Sequence, residues 1–188
     1  MHWYALFVKT GEEDTLKKFI EILMPPDQLK ILIPKRKIRE RKQGKVYEKI
    51  KTLLPGYVLI YANMDVGFYY RLRSMPHLLT ILKDKYEPIQ IRDEEISVIL
   101  ALTNKGDVIG FSQIYKEGDI IKVKKGPLVG LEGIIESYDH RKQRLKVVIT
   151  FMGKTKRIDL GAELVLKEHE KPGIGIAPKP AMSTFVDS

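Results

Sequence analysis

Apolar and polar positions alternate in two different rhythms along this chain. His2 to Val8 is rich in aromatic and β-branched residues and predicts a strand. Leu16, Phe19, Ile20 and Leu23 then recur at i, i+3, i+4 and i+7, the period of a helix with one buried face. Thr10 with Glu13 forms a candidate capping box at its start, and Pro25-Pro26 ends it. Ile31 to Ile33 and Tyr47 to Leu53 are apolar stretches flanking a basic run, which is expected to be a long loop or hairpin tip. Gly56 to Ala62 (GYVLIYA) is continuously apolar, as a strand buried on both faces is. Asp65 can cap a second helix that buries Phe68, Leu72 and Met75 and stops at Pro76. A third follows Asp93, buries Ile96, Ile99 and Leu100, and ends at Gly106.

Beyond Gly106 the helical period disappears. Residues 107–115 read as a linker, and short strands follow at Ile120 to Val123, Leu131 to Tyr138, Leu145 to Thr150, Thr155 to Asp159 and Leu164 to Leu166. Turns fall at KKGPLVG, YDHRKQR and FMGK. In KKGPLVGLEG (124–133), Gly126-Pro127 is expected to make the turn, with Gly130 and Gly133 relieving crowding where the next strand starts. The expected fold is α+β: an N-terminal α/β sandwich over 1–106, a linker over 107–115, and a small five-stranded β-barrel over 116–168. A Pro- and Gly-rich tail over 169–188 is expected to be disordered.

Charge sharpens this picture. The chain of 188 residues carries a net charge of +9, which favours polyanionic partners. Residues 35–51 (KRKIRERKQGKVYEKIK) hold nine Lys/Arg against two Glu, a local +7. Either the run keeps an exposed hairpin soluble or it meets phosphate. The barrel's turns are also basic: Lys122, Lys124 and Lys125 near the first, Arg141, Lys142 and Arg144 near the second, Lys154, Lys156 and Arg157 near the third. Gathered on one face they would form a phosphate-binding surface, with Tyr138 or His140 placed to stack on an unpaired base. The alternative is a scattered charged surface offset by Glu132, Glu136, Asp139 and Asp159.

Catalytic readings find no support. The chain has no cysteine, which excludes disulfides and thiolate chemistry. FMGKT would end a P-loop only if residue 148 were glycine, and it is Val148. His2, His77, His140 and His169 have no metal-ligand spacing. Acidic pairs such as Glu12-Glu13 and Glu94-Glu95 stand at helix starts, where the helix dipole accounts for them. No cofactor or metal is expected. No apolar run is long enough to span a membrane and no secretory leader opens the chain, so a cytoplasmic protein is expected.

Gly118 to Val147 closely resembles the KOW motif, with G-D, V-x-x-G-P, G-x-x-G, a basic turn and R-x-K-V in order. The N-terminal half resembles the NGN domain that accompanies it in NusG-type transcription elongation factors. Trp3-Tyr4, then LLPGYVLI (Leu53 to Ile60), then RSMPHL (Arg73 to Leu78) occur in that family's order. The resemblance implies an N-terminal domain that grips the clamp helices of bacterial RNA polymerase through an apolar depression beside Leu54, Pro55, Gly56 and Tyr57, with Trp3 and Tyr4 lining the same region. It also implies a nucleic-acid channel near the basic run (Lys35, Arg36, Lys37, Arg39, Arg41 and Lys42), with upstream DNA as a further contact.

The family's I-F-G-R turn corresponds to Phe151-Met152-Gly153-Lys154, and Met152 replaces the aromatic that packs against ribosomal protein or termination factor in housekeeping members. With the TGEED opening at Thr10 to Asp14, this makes the chain most similar to the LoaP group of antiterminators. The implied activity is non-enzymatic: a monomeric factor that suppresses pausing and termination while its barrel contacts RNA, a hairpin in the leader transcript. A general NusG-type factor coupling transcription to the ribosome or a termination factor, and a ribosome-associated structural RNA-binding protein, are the alternatives.

Overall fold

The computed structural model describes residues 1–103 and 106–166; the tail at 169–188 lies outside the described residues. The first strands are β1 (His2–Val8), β2 (Leu29–Leu32), β3 (Lys35–Lys42), β4 (Lys45–Thr52), β5 (Tyr57–Ala62), β6 (Leu78–Ile81) and β7 (Val108–Ile109). Three helices accompany them: α1 (Glu13–Leu23), α2 (Val66–Arg73) and α3 (Asp93–Leu102). A four-stranded sheet has the order β2-β5-β1-β6, with β5 antiparallel to both neighbours.

Both faces of this sheet are buried, which is why GYVLIYA has no polar alternation. One face carries Tyr4, Leu6, Val8, Val58 and Ile60, covered by Leu16 and Ile20 of α1 and by Phe68 and Leu72 of α2. Ala5 and Leu59 belong to a second core with Ile96, Ile99 and Leu102 of α3. Leu100, expected in that buried face, is exposed.

The helix starts differ in chemistry. Asp65 caps α2, its carboxylate accepting from the Phe68 N–H at 2.8 Å. Asp65→Ala is expected to cost about 1 kcal/mol, readable as a lowered melting temperature. The expected capping box of α1 does not form: α1 has Glu12 at its N-cap with no side-chain cap bond. Glu13 instead accepts from Gly11 N–H at 2.8 Å and from Gly56 N–H at 2.7 Å, tying the helix start to the Pro55-Gly56 turn.

Of the two forms expected for the basic run, a long loop or a hairpin tip, the structure has the hairpin, and it is regular along its whole length. β3 and β4 pair antiparallel from Lys35↔Thr52 to Lys42↔Lys45 around a Gln43-Gly44 turn, both of whose residues have positive φ, as a tight two-residue hairpin requires. Cross-strand ion pairs hold it, Lys37 to Glu48 at 3.7 Å and Glu40 to Lys49 at 2.9 Å and to Lys51. Those lysines, Lys51 first and then Lys49, hold the half-buried Glu40 carboxylate down at about 2. The clasp is therefore complete above the ordinary carboxylate range and loosens as pH falls towards 2.

Among the described residues the C-terminal half has five strands, β8 (Ser112–Glu117), β9 (Ile120–Lys125), β10 (Ile135–Asp139), β11 (Arg144–Phe151) and β12 (Lys154–Leu164). They form one curled sheet in the order β10-β11-β12-β8-β9. The strand expected at Leu164 to Leu166 is not separate; β12 runs on to Leu164, and Ser112–Glu117 supplies the fifth strand. β7 and β8 occupy most of the stretch read as a linker, and β7 pairs parallel to β3.

The glycines of KKGPLVGLEG divide. At Gly126 (φ +112°) a β-carbon would lie 2.7 Å from Phe111 O and 2.7 Å from Ser112 Cα. Gly130 has φ +77° but open space around it. Gly133 has open space and ordinary φ, so it relieves no crowding.

Candidate functional site: an apolar face closed by the barrel

The second core does not stop at the N-terminal sheet. Leu53, Leu54, Leu59, Ile96 and Ile99 share one continuous buried cluster with Val147, Ile149, Phe151 and Ile158 of the barrel. Leu54 is 3% exposed and Phe151 only 1%. The Tyr57 and Phe151 rings meet edge to face, 5.2 Å apart at 78°, a favoured aromatic geometry. Of the residues expected to line the polymerase depression, Leu54 and Tyr57 therefore lie in this seam, and Trp3 packs against the same cluster. Tyr4 faces the other core, where burial raises its hydroxyl pKa. Pro55 lines a small cleft with Leu54, Tyr57, Lys156 and Arg157, and Gly56 makes the positive-φ turn below it.

Polar groups fasten the seam. Glu95, in the first turn of α3 and 6% exposed, accepts from Met152 N–H at 3.0 Å and Gly153 N–H at 2.9 Å. Its carboxylate thus caps the β11–β12 turn, whose two central residues both have positive φ. Met152, read as the position of a lost aromatic, packs at the edge of the same cluster.

A second fastening runs along β3. The Arg36 guanidinium donates to the Asp159 carbonyl, and Arg39 donates to Gln143 at 2.9 Å and pairs with Glu163. Arg144 donates to the Arg39 carbonyl at 2.9 Å and lies 3.6 Å from Asp159. Burial lowers the Arg36 pKa; Asp159 opposes that shift and Arg144 adds to it. Arg39 also lies over the Phe111 ring, 4.6 Å from its centroid. That ring lies where a side chain at position 161 would be, and a β-carbon there would also come 2.7 Å from the Lys37 carbonyl, so Gly161 lets β12 approach β3.

The other basic residues separate into groups. The turn holding Arg141 and Lys142 and the turn at Met152-Gly153 are at opposite ends of β11, since Arg144 pairs with Gly161 and Phe151 with Lys154. The three basic turns of the barrel are therefore not brought to one place. Lys154, Lys156 and Arg157 are on β12, where Arg157 pairs with Glu136 at 2.9 Å; Lys122, Lys124 and Lys125 are on β9. On β3, Lys35 pairs with Asp14 at 2.7 Å, Lys37 with Glu48, and Arg41 and Lys42 are exposed. Sequence reasoning missed Glu95 and Phe111, which carry no signal beyond a helix-start acid and an apolar residue between strands. Among the described residues no group of side chains could hold a metal ion, and no helix is long and apolar enough to cross a membrane.

Such a fold and seam define a two-domain chain whose small barrel folds back onto the apolar face of its own N-terminal sheet. The family model described as "Transcription termination factor nusG" matches residues 1–100, and the chain belongs to the NusG family. A transcription termination/antitermination protein NusG from Rickettsia prowazekii is 31% identical, covering 88% of this chain and 89% of that one. Its counterpart from Helicobacter pylori strain J99 is 26% identical over 85% and 94%. A solved structure concerned with domain interaction in Thermotoga maritima NusG has a similar fold, with a TM-score of 0.53 at 24% identity, covering 85% of this chain and 93% of that one.

Proposed function

We propose that the chain is a non-enzymatic transcription elongation and antitermination factor of the bacterial cytoplasm whose N-terminal apolar face binds the clamp helices of RNA polymerase once the barrel has left it. The observation that carries this reading is the seam itself. The apolar residues around Leu54 and Tyr57 share one buried cluster with Ile149 and Phe151 of the barrel, and Met152 packs against it. Apolar faces of this kind bind protein partners when exposed. Polymerase that binds only the open form shifts the population towards it.

The released barrel then contacts RNA, a hairpin in the leader transcript, through the basic turn at Arg141 and Lys142, and the hairpin of β3 and β4 faces the nucleic-acid channel. Met152, standing where the family's housekeeping members have an aromatic, is what favours a specialised antiterminator similar to the LoaP group. The names of the relatives support a second reading, a general NusG-type factor; in both readings the barrel begins with β8 at Ser112, inside the stretch read as a linker.

Single-round transcription through an intrinsic terminator separates these readings. Readthrough that rises several-fold only on templates with the native leader supports the antiterminator; leader-independent readthrough supports the general factor. No effect on either template overturns both.

A further inference from the structure

Two sets of basic residues, a hundred positions apart in the chain, line one cleft of about 510 Å³. Arg39 and Arg41 come from β3, with Val46 of β4 beside them; Arg141, Lys142 and Arg144 come from the β10–β11 turn and the start of β11. We propose that this cleft, which exists only while the domains are docked, binds the phosphate groups of a single phosphodiester strand, and that the closed form is therefore a nucleic-acid-binding form. The proposal rests on the reading of the Arg141 turn as a nucleic-acid contact and adds the other half of the site.

The charges of the cleft suit an anionic ligand. Glu40, the acid lining the cleft, is committed to Lys49 and Lys51. Arg39 is engaged by Glu163 and Gln143, Arg144 by Asp159 and a carbonyl, and Lys142 lies 3.7 Å from Asp139. Arg41 and Arg141 remain, both exposed, and among the described residues neither guanidinium has an acidic partner. Docking thus brings like charges to opposite walls of one cleft, which costs energy unless an anion lies between them. Guanidinium groups suit phosphate because their planar donors match two of its oxygens. The cleft is also within the ~300–1,000 Å³ range of ligand pockets. His140 and Tyr138, their rings 6.1 Å apart, flank the turn where a base would emerge.

A ligand that touches both walls favours docking, whereas a polymerase that takes the apolar face favours release. By linkage each weakens the other's binding by the same factor.

The test is fluorescence anisotropy of a labelled 12-nucleotide RNA strand, and of DNA of the same sequence, titrated with the full chain at several salt concentrations. Arg41→Ala and Arg141→Ala are each expected to weaken binding several-fold and to reduce the log–log salt slope by about one. Glu95→Ala, which removes no cation, is expected to weaken it comparably by opening the seam. Glu95→Arg serves where small-angle scattering shows the alanine variant still compact. Equal binding of both strands shows that phosphate alone is read, and tighter RNA binding adds the 2′-hydroxyl; both fit the cleft. An opened variant that binds as tightly as the wild type overturns the shared cleft while leaving barrel binding intact. Full affinity in Arg41→Ala does the same. No binding of either strand by the wild type overturns the cleft and the RNA contact together.

Discussion

Replacing Glu95 by alanine is expected to shift the chain towards the open form and to raise its affinity for RNA polymerase by up to about 30-fold. The Glu95 carboxylate accepts two N–H groups, from Met152 and Gly153, inside a seam where it is 6% exposed. A hydrogen bond to a charged group contributes about 1.5–3 kcal/mol. Removing the carboxylate also removes the cost of burying it, so a net loss of about 2 kcal/mol in docking is a fair figure. Two kcal/mol is roughly 30-fold in the closed-to-open ratio, and apparent affinity for a partner of the open form rises by up to that factor. Polymerase binding by surface resonance, with small-angle scattering for compactness, checks it. Unchanged affinity together with an expanded chain would show that the covered face is not the polymerase site.

The largest stability effect is expected at Gly126. Alanine there would have to adopt φ near +112° with its β-carbon 2.7 Å from two backbone atoms, Phe111 O and Ser112 Cα. Backbone atoms cannot rotate aside as a side-chain tip can. The strained conformation costs about 1–3 kcal/mol and the clash adds to it, so a loss beyond about 3 kcal/mol is expected. The melting temperature of the barrel should fall by about 10 °C or more. Gly130→Ala, with positive φ but open space, should cost about 1 kcal/mol. Gly133→Ala should stay within about 0.5 kcal/mol. Thermal unfolding followed by circular dichroism ranks the three, and any other order contradicts the geometry.

Much of the N-terminal fold was legible because its signals are local. Leu16 and Ile20 repeat at helical spacing, Asp65 precedes a short apolar run, and Tyr57 to Ala62 lacks polar alternation because both faces of β5 are covered. β3 was not legible, since KRKIRERK contains a single apolar residue, Ile38, and its regularity comes from pairing with β4 and β7. The last barrel strand was misplaced because β8 belongs to the barrel by pairing with β12, a partner some fifty residues on. The seam was invisible for a different reason. Leu54, Tyr57, Ile149 and Phe151 look like ordinary core residues of two separate domains, and nothing in a one-dimensional pattern says that the two cores merge. Glu95 was explained by the helix dipole alone, although its carboxylate reaches a turn 57 positions away.

The pairing of β7 with β3 sets how far the barrel can travel. Gly110 and Phe111 are the two residues between β7 and β8, and three peptide units reach at most about 11 Å. While β7 holds, an undocked barrel pivots on a short leash beside the face it has left, at an effective concentration of millimolar or higher. Opening is then a swing that reverses readily unless something occupies the face. Peeling the short β7 pairing from β3 would lengthen the leash back to about Gly106, doubling its radius. Two bridged residues thus act as a range limiter between a barrel that guards its own chain and one that can search its surroundings.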